Sequence, residues 1–318
     1  MKKLRIISRN SALALKQADI VKSAINNLFP DVELDIIGIT TKADELLETS
    51  LNKIGGKGLF VKELQQYLLD GKADIAVHSL KDVPPITLSE FTIAAVLKRE
   101  DARDCFVSNK YKTLKDMPDG SIVGTSSLRR IALLQKYYPL LTFKLLRGNV
   151  ITRVNKLDAN EYDGIILASA GLIRLGLSDT INEYLPIEDF IPAIGQGALA
   201  VEILSTRLDL LLLMAQLDDN DTYICTESER EIGKILGVDC SVPIGVHSYV
   251  SQNDTLNIMA FIGNVNTKQS ISTTIQGNKA DYISLALNMV HNLTSYHLEK
   301  ILGHKIALPV LFANEGTI

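Results

Sequence analysis

The chain has 318 residues, of which 46% are hydrophobic and 22% charged, enough to bury the cores of two or three domains. Its 33 lysines and arginines against 37 acidic residues give a formal charge of −4. That balance argues against a generic nucleic-acid binder, so any basic site has to be local.

The N-terminus, Met1-Lys2-Lys3-Leu4-Arg5-Ile6-Ile7-Ser8-Arg9, starts like a secretion signal, but Arg5 and Arg9 interrupt its apolar stretch. From there to residue 168, strand-like runs at 3–8, 33–40, 74–78, 91–97, 105–108, 121–124, 142–146 and 163–168 alternate with helical patterns. In 12–29, Leu13, Ala14, Ala18, Val21, Ala24, Ile25 and Leu28 recur at helical spacing. In 60–69, Phe60, Val61, Leu64 and Leu68 share one face, with Lys62, Glu63 and Gln66 off it. The alternation predicts an α/β fold with mainly parallel sheets wrapped by helices. Two polar or glycine-containing stretches, 98–104 and 192–197, are the candidate crossings between two lobes. A strand at 198–204 is expected to return to the first sheet.

Beyond it the rhythm changes. Leu208 to Met214 is the longest apolar run, but Asp209 breaks it, and nothing approaches the ~18 apolar residues of a membrane helix. A cytoplasmic protein that engages no membrane is expected. A helix at 220–236, strands at 246–251, 255–263 and 270–276, and a long helix at 279–302 predict a C-terminal α+β domain with a three-stranded antiparallel sheet. The expected domains are 1–97 with 198–216, then 98–197, then 217–318. No internal repeat is visible.

Several segments carry chemistry. His78-Ser79-Leu80-Lys81-Asp82-Val83-Pro84-Pro85 follows a strand and ends in two prolines, which continue neither sheet nor helix. It therefore places a lysine and an aspartate at a strand's carboxyl end, where open α/β folds bind ligands. His78 reads as a satisfied buried histidine. Gly124-Thr125-Ser126-Ser127-Leu128-Arg129-Arg130 places two arginines in the first turn of a capped helix, the end that favours anions. An anion is expected to supply the missing negative charge. Arg147-Gly148-Asn149-Val150-Ile151-Thr152-Arg153 repeats the pattern, as does Arg174 after Ala170-Gly171-Leu172-Ile173, and Arg9-Asn10-Ser11 does so in the first lobe. Singly, each is equally well a solvated cation or a simple cap; together they predict a basic pocket in an acidic protein.

Gly55-Gly56-Lys57-Gly58 precedes a helix and suits an anion, but no Ser or Thr follows Lys57, so it is not a Walker A loop. The three cysteines, at 105, 225 and 240, fit neither a disulfide framework nor a zinc site, and the five histidines lack metal-ligand spacing, so no metal is expected. Cys240 sits in a turn-rich loop, where neighbouring Asp239 would raise its thiol pKa.

Taken together, Arg9-Asn10-Ser11, 55–61, 74–84, 124–130, 146–153, 195–198 and 240–245 resemble, in order and spacing, the porphobilinogen deaminase family over nearly the whole chain. The resemblance implies two periplasmic-binding-protein-like domains and a third carrying a cysteine loop. It implies stepwise head-to-tail condensation of four porphobilinogen molecules with loss of ammonia, then hydrolytic release of linear hydroxymethylbilane. A dipyrromethane cofactor would be held through a thioether at Cys240, with Asp82 as the catalytic aspartate. Lys81, Ser127, Arg129, Arg130, Arg147, Gly148 and Arg153 would hold the cofactor, and Arg9, Ser11 and Arg174 the substrate. The partners implied are porphobilinogen and the growing pyrrole chain, with no nucleic acid and a monomeric enzyme. The sequence departs from the family at Ala12, Lys16, Lys42, Val238 and Asp239, without loss of a charged group given a role. A non-catalytic two-lobed anion binder would share the glycine turns and arginines but would need neither Cys240 nor Asp82.

Overall fold

The computed structural model describes residues 3–41, 59–237, 242–295, 298 and 301. The first sheet is built from β1 (Lys3–Arg9), β2 (Glu33–Ile39), β3 (Ile75–Ser79), β4 (Phe91–Val96) and β10 (Leu199–Leu204), in the order β2-β1-β3-β10-β4. Its strands read as continuous apolar runs because helices cover them: Leu4, Ile6 and Ile7 of β1 and Ile75 to Val77 of β3 are all buried. α1 (Ala12–Leu28) covers one face with Ala18, Val21 and Ile25. α2 (Leu59–Leu69) packs Leu64 and Leu68 against Ile7 and Ala76.

The second sheet comprises β5 (Asp104–Val107), β6 (Ile122–Gly124), β7 (Thr142–Lys144), β8 (Gly164–Ala168) and β9 (Glu183–Tyr184), in the order β7-β6-β8-β5-β9. Its helices are α3 (Leu128–Tyr137), α4 (Val150–Asp158) and α5 (Ser169–Arg174). The two sheets share one plan. In each, the strand that has just crossed from the other lobe, β10 or β5, is inserted fourth and runs antiparallel to both neighbours. The remaining strands run one way, so the expected parallel character holds apart from the crossing strand. The repeat is one of topology and left no trace in the sequence.

Several boundaries differ from expectation. The strand expected at 105–108 begins at Asp104, which moves that carboxylate from the crossing into the sheet. β7 stops at Lys144, after which Leu145 is exposed and Leu146 turns into the core. The short β9 has only two residues and no periodicity to betray it. The broken apolar run forms α6 (Leu208–Met214), which buries Leu210 and Met214 while Leu208 and Leu212 stay exposed.

The third unit has α7 (Asn220–Ile235), the antiparallel sheet β11 (Ile244–Ser251), β12 (Thr255–Gly263) and β13 (Ser270–Asn278), and α8 (Tyr282–Ser295). The helix expected from 279 opens with a tight turn at Lys279–Asp281, where the Asn278 side chain accepts from Ala280 N at 2.9 Å. The sheet docks on the second lobe. Met259 and Phe261 enter the same core as Phe106, Leu133 and Phe190. Burying one such side chain is worth about 1.5–3 kcal/mol.

One carboxylate ties the third unit to both crossings. Glu229 of α7 is fully buried and accepts from Arg99 Nη1 at 2.6 Å, Ser248 N at 2.7 Å and Gly195 N at 2.7 Å. Arg99 belongs to the outward crossing, Gly195 to the return crossing and Ser248 to β11. The two crossings also touch: Gly197, at φ +90°, lies so close that a methyl there would stand 2.4 Å from Glu100 O.

Candidate active site

β3 ends at Ser79, and Leu80–Asp82 forms a tight 3-10 turn closed by Val83 N donating to Leu80 O at 3.0 Å. The turn is held from the return crossing by Leu80 N donating to Ala198 O at 3.0 Å. Asp82 is exposed, Lys81 half-buried. Asp82 lines a cavity of about 70 Å³ with Arg9, Ser11, Gln17, His78 and Ser79. Ser11 caps α1, accepting from Ala14 N at 3.3 Å. His78 is structural, as expected: its Nε2 lies 3.0 Å from Glu202 Oε2, and Gln65 donates to the other carboxylate oxygen at 2.8 Å.

Across the cleft, Ser127 caps α3 and accepts from Arg130 N at 3.4 Å. Arg129 and Arg130 do not stand open to solvent; they are 3% and 6% exposed. The negative charge expected at this helix start is supplied from within the chain. Asp104 Oδ1 accepts from Arg130 Nη2 at 2.8 Å, and Arg129 Nη1 stands 2.8 Å from Asp104 Oδ2. Burial alone would raise the Asp104 carboxyl, but the two guanidiniums overcome it and hold the group well below the usual carboxylate range. Removing one partner from such a buried set typically costs about 3–5 kcal/mol.

Gln196 carries this cluster to the first lobe. Its Nε2 donates to Asp104 Oδ1 at 2.9 Å and to Ala102 O at 2.8 Å, while its Oε1 accepts from Lys81 Nζ at 3.4 Å. Burial, together with Arg130 and Arg129, pushes the Lys81 ammonium down to about 8 despite Asp82 and Asp104. Arg153, near the start of α4, donates to Gly148 O at 2.8 Å, with Asn149 as the cap. Burial and the neighbouring Arg130 and Arg147 bring Arg153 down to about 10, and Asp82 opposes them. Lys81, Arg129, Arg130, Arg147 and Arg153 therefore share one field, with Asp82 and Asp104 as its counter-charges. Gly148, at φ +114°, makes the turn between Arg147 and the helix that carries Arg153.

Arg174 departs from the expected pattern. α5 begins directly after β8, so Arg174 closes the helix rather than opening it, and its Nη2 donates to Gly197 O at 2.5 Å. Burial brings it down to about 10, with Glu100 opposing. Cys240, Asp239, Lys42 and the glycine-rich turn at 55–58 lie outside the described residues. Gly245 of β11, however, is placed: a methyl there would stand 3.1 Å from Arg129 Cδ and 2.5 Å from Ile191 O. The segment following Cys240 thus runs beside the arginine cluster. Asp104, Gln196, Gln17 and Glu229 were not singled out from sequence. A glutamine between two glycines and a carboxylate at a strand start have no periodic or motif signal.

The described residues contain no group of His, Cys, Asp and Glu able to hold a metal, and no helix among them is long and apolar enough to cross a membrane. Fold and site together define a two-lobed α/β protein in which a cluster of lysine and arginine side chains faces the exposed Asp82. The family model "Porphobilinogen deaminase, dipyromethane cofactor binding domain" matches residues 4–212, and the "Porphobilinogen deaminase, C-terminal domain" model matches 223–293. The porphobilinogen deaminase of Methylobacillus flagellatus is 45% identical over 308 residues, covering 97% of this chain and 98% of that one. That of Chromobacterium violaceum is 48% identical, covering 89% of this chain and 91% of that one. A solved methionine binding protein, MetQ, superposes with a TM-score of 0.44 at 11% identity, covering 71% of this chain and 91% of that chain; the fold assignment rests on strand order instead.

The chain belongs to the porphobilinogen deaminase family. It is a transferase that condenses four porphobilinogen molecules head to tail on a dipyrromethane cofactor, releases ammonia at each step, and hydrolyses off linear hydroxymethylbilane.

Proposed function

We propose the following roles for individual residues. Cys240 carries the dipyrromethane as a thioether. Of the three cysteines, Cys105 and Cys225 are buried, and burial pushes both thiols up to about 12, so neither is poised as a nucleophile. Lys81, Ser127, Arg147, Gly148 and Arg153 hold the cofactor's carboxylates by charge-assisted hydrogen bonds at helix starts. Arg129 and Arg130 act with them, chiefly through a field that Asp104 only partly cancels. Arg9, Ser11 and Arg174 take the incoming substrate's acetate and propionate.

The cluster suits such a ligand because five cations meet two carboxylates there; burial first, and the neighbouring arginines second, lower Lys81 and Arg153, and a bound carboxylate would relieve both. When bound, the dipyrromethane supplies the free pyrrole carbon to which the next unit is joined. Asp82 acts on the substrate as its amine departs. It stabilises the positive charge that develops on the pyrrole and is placed to take up the ring proton afterwards. The observation that carries this reading is the position of Asp82, exposed at the strand end and within electrostatic reach of Arg153 on the opposite lobe.

We assign the domains as 1–97 with 198–216, 98–197 and 217–318; the three sheets support that division. We read the enzyme as a monomer. A cytoplasmic enzyme acting on porphobilinogen and the growing chain, apart from nucleic acid and membrane, agrees with the acidic overall charge.

Asp82→Asn tests the assignment. The purified variant keeps its fold and its cofactor mass but releases ammonia from porphobilinogen roughly 10²–10³-fold more slowly. Near-normal turnover in the cofactor-loaded variant would remove Asp82 from the catalytic role.

A further inference from the structure

Asp82 is followed by Val83, Pro84 and Pro85, and two of these three have no N–H to donate. The turn therefore cannot settle into a strand or helix ladder, and its three successive carbonyl groups need donors from elsewhere. They find them in one side chain. Arg230 of α7 is 6% exposed and donates from Nη1 to Val83 O at 3.3 Å. Its Nη2 donates to Pro84 O at 3.1 Å and to Pro85 O at 3.3 Å. Its Nε lies 3.4 Å from Glu227 Oε1, one turn back along the same helix. A planar guanidinium with five donors suits three convergent carbonyls in a way that a lysine ammonium does not.

The apolar side chains of the turn are held by packing, and the carbonyls beyond them by Arg230. Leu80 and Val83 are buried with Val61, Val96, Ala198 and Ala200, while Asp82 itself stays exposed. The backbone leaving Asp82 is thus gripped from the third unit, which also holds both crossings through the adjacent Glu229.

We propose that Arg230 is a positioning residue for the condensation: it sets the height and direction of Asp82 through the carbonyls of residues 83–85. The C-terminal unit then has two roles, carrying the cofactor cysteine and aiming the acid that works on the substrate. The proposal rests on the assignment of Asp82 made above. It does not require Arg230 to touch substrate or cofactor.

The test compares cofactor-loaded Arg230→Met, Arg230→Lys and Glu227→Gln with wild type. In Arg230→Met, which keeps the aliphatic stem, kcat falls roughly ten- to a hundredfold with KM within about twofold, as expected when a reacting group is displaced by a fraction of an ångström to an ångström. Arg230→Lys, able to satisfy only part of the carbonyl set, gives an intermediate kcat. Glu227→Gln removes the ion pair but leaves the three carbonyl bonds, and keeps wild-type kcat. If Arg230→Met does not fold, the contrast between Arg230→Lys and Glu227→Gln decides. Unchanged kcat in folded, loaded Arg230 variants overturns the proposal. So does a loss of activity that merely tracks a loss of cofactor mass, or an equal loss in Glu227→Gln. Full turnover in Asp82→Asn would instead sink the assignment of Asp82, independently of these outcomes.

Discussion

Lys81 and Asp104 carry opposite charges on the two sides of Gln196, and burial acts against both. Asp104 keeps its charge because two guanidiniums are fixed against it. Among the described residues Lys81 has no ion pair, and burial with the nearby arginines brings it to about 8 against the opposing pull of Asp82 and Asp104. In the empty cleft its charge is lost as pH rises through that value. A bound carboxylate favours the ammonium and raises the value again, so binding at higher pH takes up a proton and affinity falls with rising pH. The rate at which cofactor-free protein takes up the dipyrromethane should therefore fall between about pH 7 and 9, and Lys81→Arg, which stays charged there, should flatten the fall. Identical profiles in the two proteins would exclude Lys81 as the titrating group. The sequence made this residue and Asp82 legible, because two prolines after a buried strand leave few other places for them. It misplaced the counter-charge of Arg129 and Arg130. Nothing local shows that the carboxylate at 104 faces a helix start some 25 residues on.

At the level of elements, glycines mark where one unit's backbone lies against another's. β11 passes the return crossing so closely that Gly245→Ala would place a methyl 2.5 Å from Ile191 O and 2.9 Å from Pro192 O. Those are backbone atoms and cannot swing aside. The substitution should lower stability by roughly 1–3 kcal/mol in denaturant unfolding, as overpacking does. It should also disturb Arg129, whose Cδ lies 3.1 Å from the same point. An unaltered unfolding midpoint would mean that the third sheet docks differently. α7 was readable as a helix but not as a buried one. Its sequence is rich in Thr, Ser, Glu and Arg, yet Thr226, Ser228, Glu229 and Arg230 are all buried. Periodicity detects apolar faces; it cannot show that a polar face is inward when its partners are crossings over 30 residues away in sequence.

For the whole molecule, the two lobes, the crossings and the separate antiparallel sheet were visible in the alternation of elements. The return of the strand at 198–204 to the first sheet was foreseen; the fourth, antiparallel place of each crossing strand was not, since strand order depends on tertiary pairing. The assembled chain places Asp82 on the first lobe, the arginine cluster on the second and the segment after Cys240 beside that cluster. Glu229 and Arg230 hold the third unit to both crossings and to the backbone that follows Asp82. On the roles proposed above, the ligand spanning the cleft is anchored from the third unit, at Cys240. Intact-mass measurement of the purified protein, wild type against Cys240→Ser, tests this most directly. The account predicts a wild-type mass greater than the sequence mass by one dipyrromethane, with no excess in the variant. A wild-type mass equal to the bare chain, or an excess that survives in Cys240→Ser, would contradict it.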